Sequence, residues 1–163
     1  MDADNQQERL DAKWIVGFTD GEGCFHISIN KLPEMTLGFQ VLPEFRIVQH
    51  EKDELVLQKI KEYFGFGNIR INRTDKWGTR KEFRVRGLEN LNKIVEFFKQ
   101  NPLKTEKRKD FNFFAEVIDL MNKKEHLTKE GLDKIEKLSL KMNRKAKKYL
   151  ESSETIRQTQ TKV

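Results

Sequence analysis

The chain has 163 residues, enough for one domain with a real hydrophobic core, and its 32 basic against 26 acidic residues leave a formal charge of +6 that favours an anionic partner. Cys24 is the only cysteine, which excludes an internal disulfide and a multi-thiolate zinc site. No apolar run approaches bilayer length, and the polar start from Met1 to Arg9 is unlike a signal or transit peptide. The expectation is therefore an intracellular protein with no membrane partner, made where it acts, as in an organelle or a prokaryotic cytoplasm.

A first helix is predicted from about Glu8 to Asp20. Two strands follow. Phe25, Ile27 and Ile29 alternate with His26, Ser28 and Asn30; beyond a loop at Lys31 to Leu37, Phe39, Val41, Phe45 and Ile47 alternate with Gln40, Leu42, Glu44 and Arg46. Pro43 inside the second run points to a bulge or an edge position. Asp53 is expected to cap a helix carrying Leu57, Ile60 and Phe64 and ending at Gly65. Ile69 and Ile71 then oppose Asn68, Arg70 and Asn72. Phe83 and Val85 oppose Glu82, Arg84 and Arg86. The stretch Thr74 to Lys81 between them reads as a turn with an exposed Trp77. A helix from Leu88 to Gln100 turns Leu91, Ile94, Val95 and Phe98 inward and ends at Asn101-Pro102. Thr105 caps a helix with Phe111, Phe114, Ile118 and Met121. A last helix from Lys129 to about Leu150 carries Leu132, Ile135, Leu138, Met142 and Tyr149. Residues 1–150 are expected to form one α+β domain, and 151–163 a disordered tail.

The chemistry concentrates where the first helix ends, in Trp14-Ile15-Val16-Gly17-Phe18-Thr19-Asp20-Gly21-Glu22-Gly23. Gly17 and Gly21 lie four apart, so they share a helix face and permit close approach of another backbone. Asp20 and Glu22 fall at the helix C-terminus, where the macrodipole disfavours anions. A divalent metal held by carboxylate and carbonyl oxygens accounts for them; so does a solvated acidic turn.

The outward residues of the four strands form a second constellation: His26, Ser28, Asn30, Gln40, Arg46, Arg70, Asn72, Arg84 and Arg86. Arginine donates two bonds to guanine and Asn or Gln pairs with adenine, so such a face suits duplex DNA; the plain alternative is the solvated side of an antiparallel sheet. Glu44 and Glu82 are the acidic exceptions, suited to accept from cytosine. Lys104, Lys107, Arg108 and Lys109 cluster at a helix start and suit phosphate. Gln49 breaks the apolar register at a strand end, marking either a site residue or the point where the strand leaves the core.

The segment ending Asp20-Gly21-Glu22-Gly23 resembles the LAGLIDADG motif of homing endonucleases. The order α-β-β-α-β-β-α resembles that family's fold over about residues 8 to 125. The resemblance implies a four-stranded antiparallel sheet that forms a DNA-binding saddle, with C-terminal helices added. Pro102-Leu103-Lys104-Thr105-Glu106-Lys107 resembles a second block of the family, in which a lysine after Pro-Leu works near the scissile phosphate; that position is Lys107, with Glu106 as a competing charge. Gln49, in Ile47-Val48-Gln49, matches a glutamine that holds active-site water. The resemblance thus implies Glu22, Gln49 and Lys107 as catalytic residues and Mg²⁺ or Mn²⁺ on Glu22 and the Gly21 carbonyl. It implies Lys109 and the outward strand residues as contacts to double-stranded DNA. Glu22 stands where many relatives carry aspartate. Asp53 stands where some carry a base, so it is expected to cap a helix, with Lys52 supplying the charge.

One motif supplies one acidic site, whereas two strands must be cut. The implied assembly is a homodimer packed through Gly17 and Gly21, acting on a long, pseudo-palindromic target. The alternatives are a LAGLIDADG-type RNA maturase that assists splicing, a DNA-binding relative without cleavage, and a generic basic α+β domain.

Overall fold

Asp11 sets the start of the first helix. Its carboxylate accepts the Trp14 N–H at 2.7 Å, satisfying a donor that a helix N-terminus leaves unpaired. In the computed structural model, which describes residues 9–142, α1 accordingly runs Ala12–Glu22 and not from Glu8. The acidic start before Arg9, the expected helix end at Leu150 with Tyr149, and the tail lie outside the described residues.

α1 passes directly into β1 (Gly23–Lys31). The Gly23 N–H donates to the Thr19 carbonyl, and a Cβ at Gly23 would stand 2.5 Å from Thr19 Cγ2 and 2.8 Å from that carbonyl oxygen. Lack of space, not a special backbone angle, makes this position glycine. Next come β2 (Phe39–His50), α2 (Glu54–Phe64), β3 (Asn68–Asp75), β4 (Gly78–Val85), α3 (Leu88–Gln100), α4 (Lys107–Asn122) and α5 (Lys129–Met142).

The strands form one antiparallel sheet in the order β1-β2-β4-β3, so the two hairpins lie side by side. The β1–β2 register runs unbroken from Gly23↔Ile47 to Lys31↔Phe39 and includes Ile27↔Pro43. β4 joins β2 only from Phe45 onward. Pro43 therefore sits where β2 has one neighbour, an edge position and not a bulge.

One face of the sheet is apolar. Phe25, Ile27, Ile29, Val41, Phe45, Ile47, Phe83 and Val85 are buried there against Leu57, Ile60, Leu91, Ile94, Phe98, Phe111 and Phe114 of the helices. Phe25 lies at the centre, with ring centroids 5.1 Å from Phe45, 5.3 Å from Phe114, 5.4 Å from Phe111 and 5.5 Å from Phe98. Each such side chain contributes about 1.5–3 kcal/mol on burial. Leu132, Ile135 and Leu138 of α5 join the same core. Among the described residues no helix is long and apolar enough to cross a membrane.

Three local expectations need correction. The β3–β4 connection is not a turn from Thr74 to Lys81. It is a tight hairpin with Lys76 and Trp77 at its tip, closed by the Trp77 N–H on Asp75 Oδ1 at 2.8 Å. Trp77 is exposed, as expected. Asp53 precedes α2 but makes no side-chain cap bond; His50 Nδ1 instead accepts the Lys52 N–H at 3.2 Å in the short turn Glu51–Asp53. Thr105 precedes α4 by two residues, and its hydroxyl oxygen accepts the Lys107 N–H at 3.3 Å.

Candidate functional site

At the end of α1 the two acids have different surroundings. Both Asp20 oxygens are engaged: Oδ2 by the Lys104 N–H at 2.8 Å, Oδ1 by the Thr105 N–H at 3.1 Å and the Thr105 hydroxyl at 2.7 Å. Asp20 thus ties the helix end to the segment leading into α4. Burial works to raise its carboxyl, but these bonds and the Lys107 charge outweigh it and hold it below the ordinary carboxylate value. Asp20→Asn should cost about 2 kcal/mol near neutral pH, the scale of losing charge-assisted bonds. Because the folded carboxyl is depressed, its contribution is full above the unfolded value of about 4 and vanishes as pH falls through the lower, folded value. Urea unfolding of the two proteins should differ near neutrality and converge in acid.

Glu22, in contrast, is exposed. Lys107, from the first turn of α4, reaches back so that its Nζ donates to the Thr19 carbonyl at 3.0 Å. A cation at a helix C-terminus is favoured by the macrodipole. Burial lowers the Lys107 pKa, opposed by the ionisable neighbours Cys24, Asp20, Glu22 and Asp110. The structure thus brings Glu22, Gly21 and Lys107 together at one helix end. Gln49 is half-buried two residues past the Gly23↔Ile47 pair, roughly 7 Å further along β2 toward that end.

Among the described residues no three His, Cys, Asp or Glu side chains gather as a metal cluster. With Asp20 engaged and the Thr19 carbonyl taken by the Gly23 N–H and Lys107 Nζ, one chain offers the exposed Glu22 carboxylate and the Gly21 carbonyl, one of the four that a helix C-terminus leaves without an intrahelical donor. That is an open half-shell of hard oxygens. It fits a hard divalent ion that keeps several water ligands.

The other sheet face is polar, and its register places the expected residues on it. Cys24, His26, Ser28 and Asn30 of β1 lie opposite Arg46, Glu44, Leu42 and Gln40; Arg46 lies opposite Arg84, and Glu82 opposite Arg70. The acids there do not face solvent. The Glu44 and Glu82 side chains are 7% and 3% exposed beneath the arginines, which corrects the expectation that they accept from bases. Glu44 meets Arg46 at 3.2 Å, Arg86 at 2.8 Å and Arg84 at 3.9 Å; Glu82 meets Arg70 at 3.2 Å, Arg84 at 3.8 Å and the Asn72 amide at 2.7 Å. Burial and the nearby Arg86 and Arg70 depress the Arg84 guanidinium. Burial, then Arg46, lowers the His26 pKa against the pull of Glu44, which favours a neutral imidazole. The Ser28 hydroxyl donates to the Leu42 carbonyl at 3.2 Å, and Lys109 is paired with Glu106 at 2.7 Å.

Two residues of this face escaped the sequence reading. Arg80 continues the alternation of Glu82 and Arg84 and would have been found by extending β4 backward. Arg73 is brought opposite Arg80 by the register shift between Ile71 and Arg73, for which the sequence carries no signal.

On the outer side of α1, Gly17 and Gly21 are exposed, and a Cβ added at either meets nothing within 4 Å. Trp14, itself exposed, stacks on Phe18 beside them at 4.6 Å.

A family model described as LAGLIDADG endonuclease matches residues 15–118. The "Probable intron-encoded endonuclease 3" of Neurospora crassa is 33% identical over 132 residues, which cover 80% of this chain and 24% of that protein. The crystal structure of the homing endonuclease I-TnaI aligns with a TM-score of 0.81 at 45% identity, covering 88% of this chain and 98% of that one. I-SmaMI, bound to an uncleaved DNA target in the presence of calcium ions, gives 0.78 at 34% identity over 83% of this chain and 46% of that one. The chain spans about a quarter of the length of the first curated relatives it matches.

Proposed function

The chain belongs to the LAGLIDADG endonuclease family, and on that premise we propose that it is a site-specific homing endonuclease that cuts both strands of a long, pseudo-palindromic DNA site as a homodimer. The observation that carries this reading is the convergence at the end of α1, where an exposed Glu22 and a half-buried Lys107 lie at one end of an arginine-rich sheet face.

The reaction is hydrolysis: water attacks phosphorus, the bond to one sugar oxygen breaks, and that oxygen leaves with a proton. Glu22 and the Gly21 carbonyl would hold Mg²⁺ or Mn²⁺, which supplies activation of water and neutralisation of charge on the phosphate. Lys107 stabilises the negative charge that grows on the phosphate oxygens. Gln49 orients the attacking water. Two copies related by a two-fold axis bring two such ends together, one per strand, with α1 packed on α1 through Gly17 and Gly21. His26, Asn30, Gln40, Arg46, Arg70, Arg84 and Arg86 read base edges, and Lys109 meets phosphate.

The direct test is to incubate the protein and Mg²⁺ with a library of long DNA sites and sequence the cut ends. Recurrent paired cuts with two-fold related flanks are expected; no cutting of any site would overturn the reading. Lys107→Ala should lower single-turnover cleavage of a bound site about a hundredfold, beyond its effect on binding. Cleavage at the wild-type rate once bound would leave Lys107 an anchoring role only.

A further inference from the structure

The arginines of the polar face do not stand on it as free side chains. Arg86 is held by Glu44 through Nε and Nη2, both at 2.8 Å, and Arg70 by Glu82 through Nε at 3.2 Å. These two are the exposed pair, with side chains 48% and 50% accessible. These contacts use the Nε edge of the guanidinium, so the end formed by Nη1 and the second N–H of Nη2 can grip guanine O6 and N7. Arg84, 17% exposed, spans both acids, with Nη1 3.9 Å from Glu44 and Nε 3.8 Å from Glu82.

We propose that Glu44 and Glu82 are specificity-determining positioning residues, which fix the poses from which Arg46, Arg70, Arg84 and Arg86 read DNA. The inference rests on the reading of this face as a duplex-binding surface. Phosphate attraction alone does not explain the acids. Four guanidiniums against two carboxylates leave a net +2, so each glutamate cancels an arginine and weakens binding to every sequence alike. Fold stability does not explain them well either, because a buried ion pair is often no better for stability than apolar residues of similar volume. Fixed direction does explain them. Arginine has many rotamers, and an unheld guanidinium beside duplex DNA finds phosphate as readily as a base. A carboxylate beneath it removes that choice before the DNA arrives. The acids lie on the central strands β2 and β4, so each reaches arginines on more than one strand.

The test uses binding without cleavage. The wild-type chain, Glu82→Gln and Glu44→Gln are each selected against a randomised duplex library in a chelator, with melting recorded for each. Target and random-duplex affinities are then measured against salt. Glu82→Gln should bind random duplex about threefold tighter and steepen the salt slope by close to 0.9. Its guanine preference at the positions read by Arg70 and Arg84 should fall about tenfold, the share of one bidentate contact. Glu44→Gln should flatten a different set of positions, those of Arg46 and Arg86. A merely structural role would lower all affinities together and leave the target-to-random ratio unchanged. That ratio, unchanged in both variants, overturns the inference. If one variant fails to fold, the other decides; if both fail, the acids hold the fold and the inference falls. A wild-type chain that enriches no motif removes the duplex reading itself, whereas a wild-type motif that survives in both variants removes the positioning role alone.

Discussion

Glu22→Gln should leave the protein folded and, on the proposed function, bound to its site, with cleavage reduced about a thousandfold or more. The side chain is exposed and supports nothing in the core, so melting should not move. Binding should persist because the arginine-rich face is untouched. The chemistry should fail for two reasons. A neutral amide is a poor ligand for a hard divalent ion, and the other carboxylate in the last turn of α1, Asp20, has both oxygens committed to Lys104 and Thr105. Asp20 therefore does not take over, and losing the charge stabilisation of one such group costs on the order of 10³ in rate. Binding and single-turnover cleavage on one target give the result. A folded Glu22→Gln protein that cuts at the wild-type rate would end the mechanism proposed above.

Gly17→Leu should separate the assembly from the fold. In the isolated chain an added Cβ at Gly17 meets nothing within 4 Å, so the larger side chain is tolerated. The exchange also removes a glycine from a helix interior, which stabilises a helix by about 0.8 kcal/mol. The monomer should therefore melt slightly higher. At a two-fold helix contact the same leucine intrudes twice, at about 1–3 kcal/mol each, so the dimer dissociation constant should rise about a thousandfold. Double-strand cutting should disappear at working concentrations. Sedimentation and melting read the two effects independently. A wild-type chain that sediments as a monomer and still makes double-strand breaks would contradict the proposed assembly.

The parts of this molecule written in local periodicity were legible. The alternation at Phe25, Ile27 and Ile29 named the core face of β1, and the apolar spacing at Leu91, Ile94, Val95 and Phe98 named the buried side of α3. The hairpin tip was not legible, because Thr74-Asp75 and Thr79-Arg80-Lys81 lie beyond the core, where strand pairing continues with no apolar residue to announce it. Long-range polar partners were not legible either. Asp20 is bonded to residues 84 and 85 positions away, and Glu44 to Arg86 across 42, so a local reading found the acids without their roles. Glu44 and Glu82 are covered partly by arginines from elsewhere in the chain, Arg84 and Arg86 on Glu44 and Arg70 on Glu82, which the sheet order brings together.

The junction at Gly23 has a geometric consequence. No linker separates α1 from β1, and a side chain at the junction has no room against Thr19, so the direction of the first strand is set by the end of the helix. In the two-fold assembly proposed above, the offset between the two nicks would be inherited from how closely the paired helices approach, whereas the bases preferred on either flank would depend on the strand face beyond. Substitutions along the helix contact would alter the stagger of the cut ends, and substitutions on the strands would alter the address.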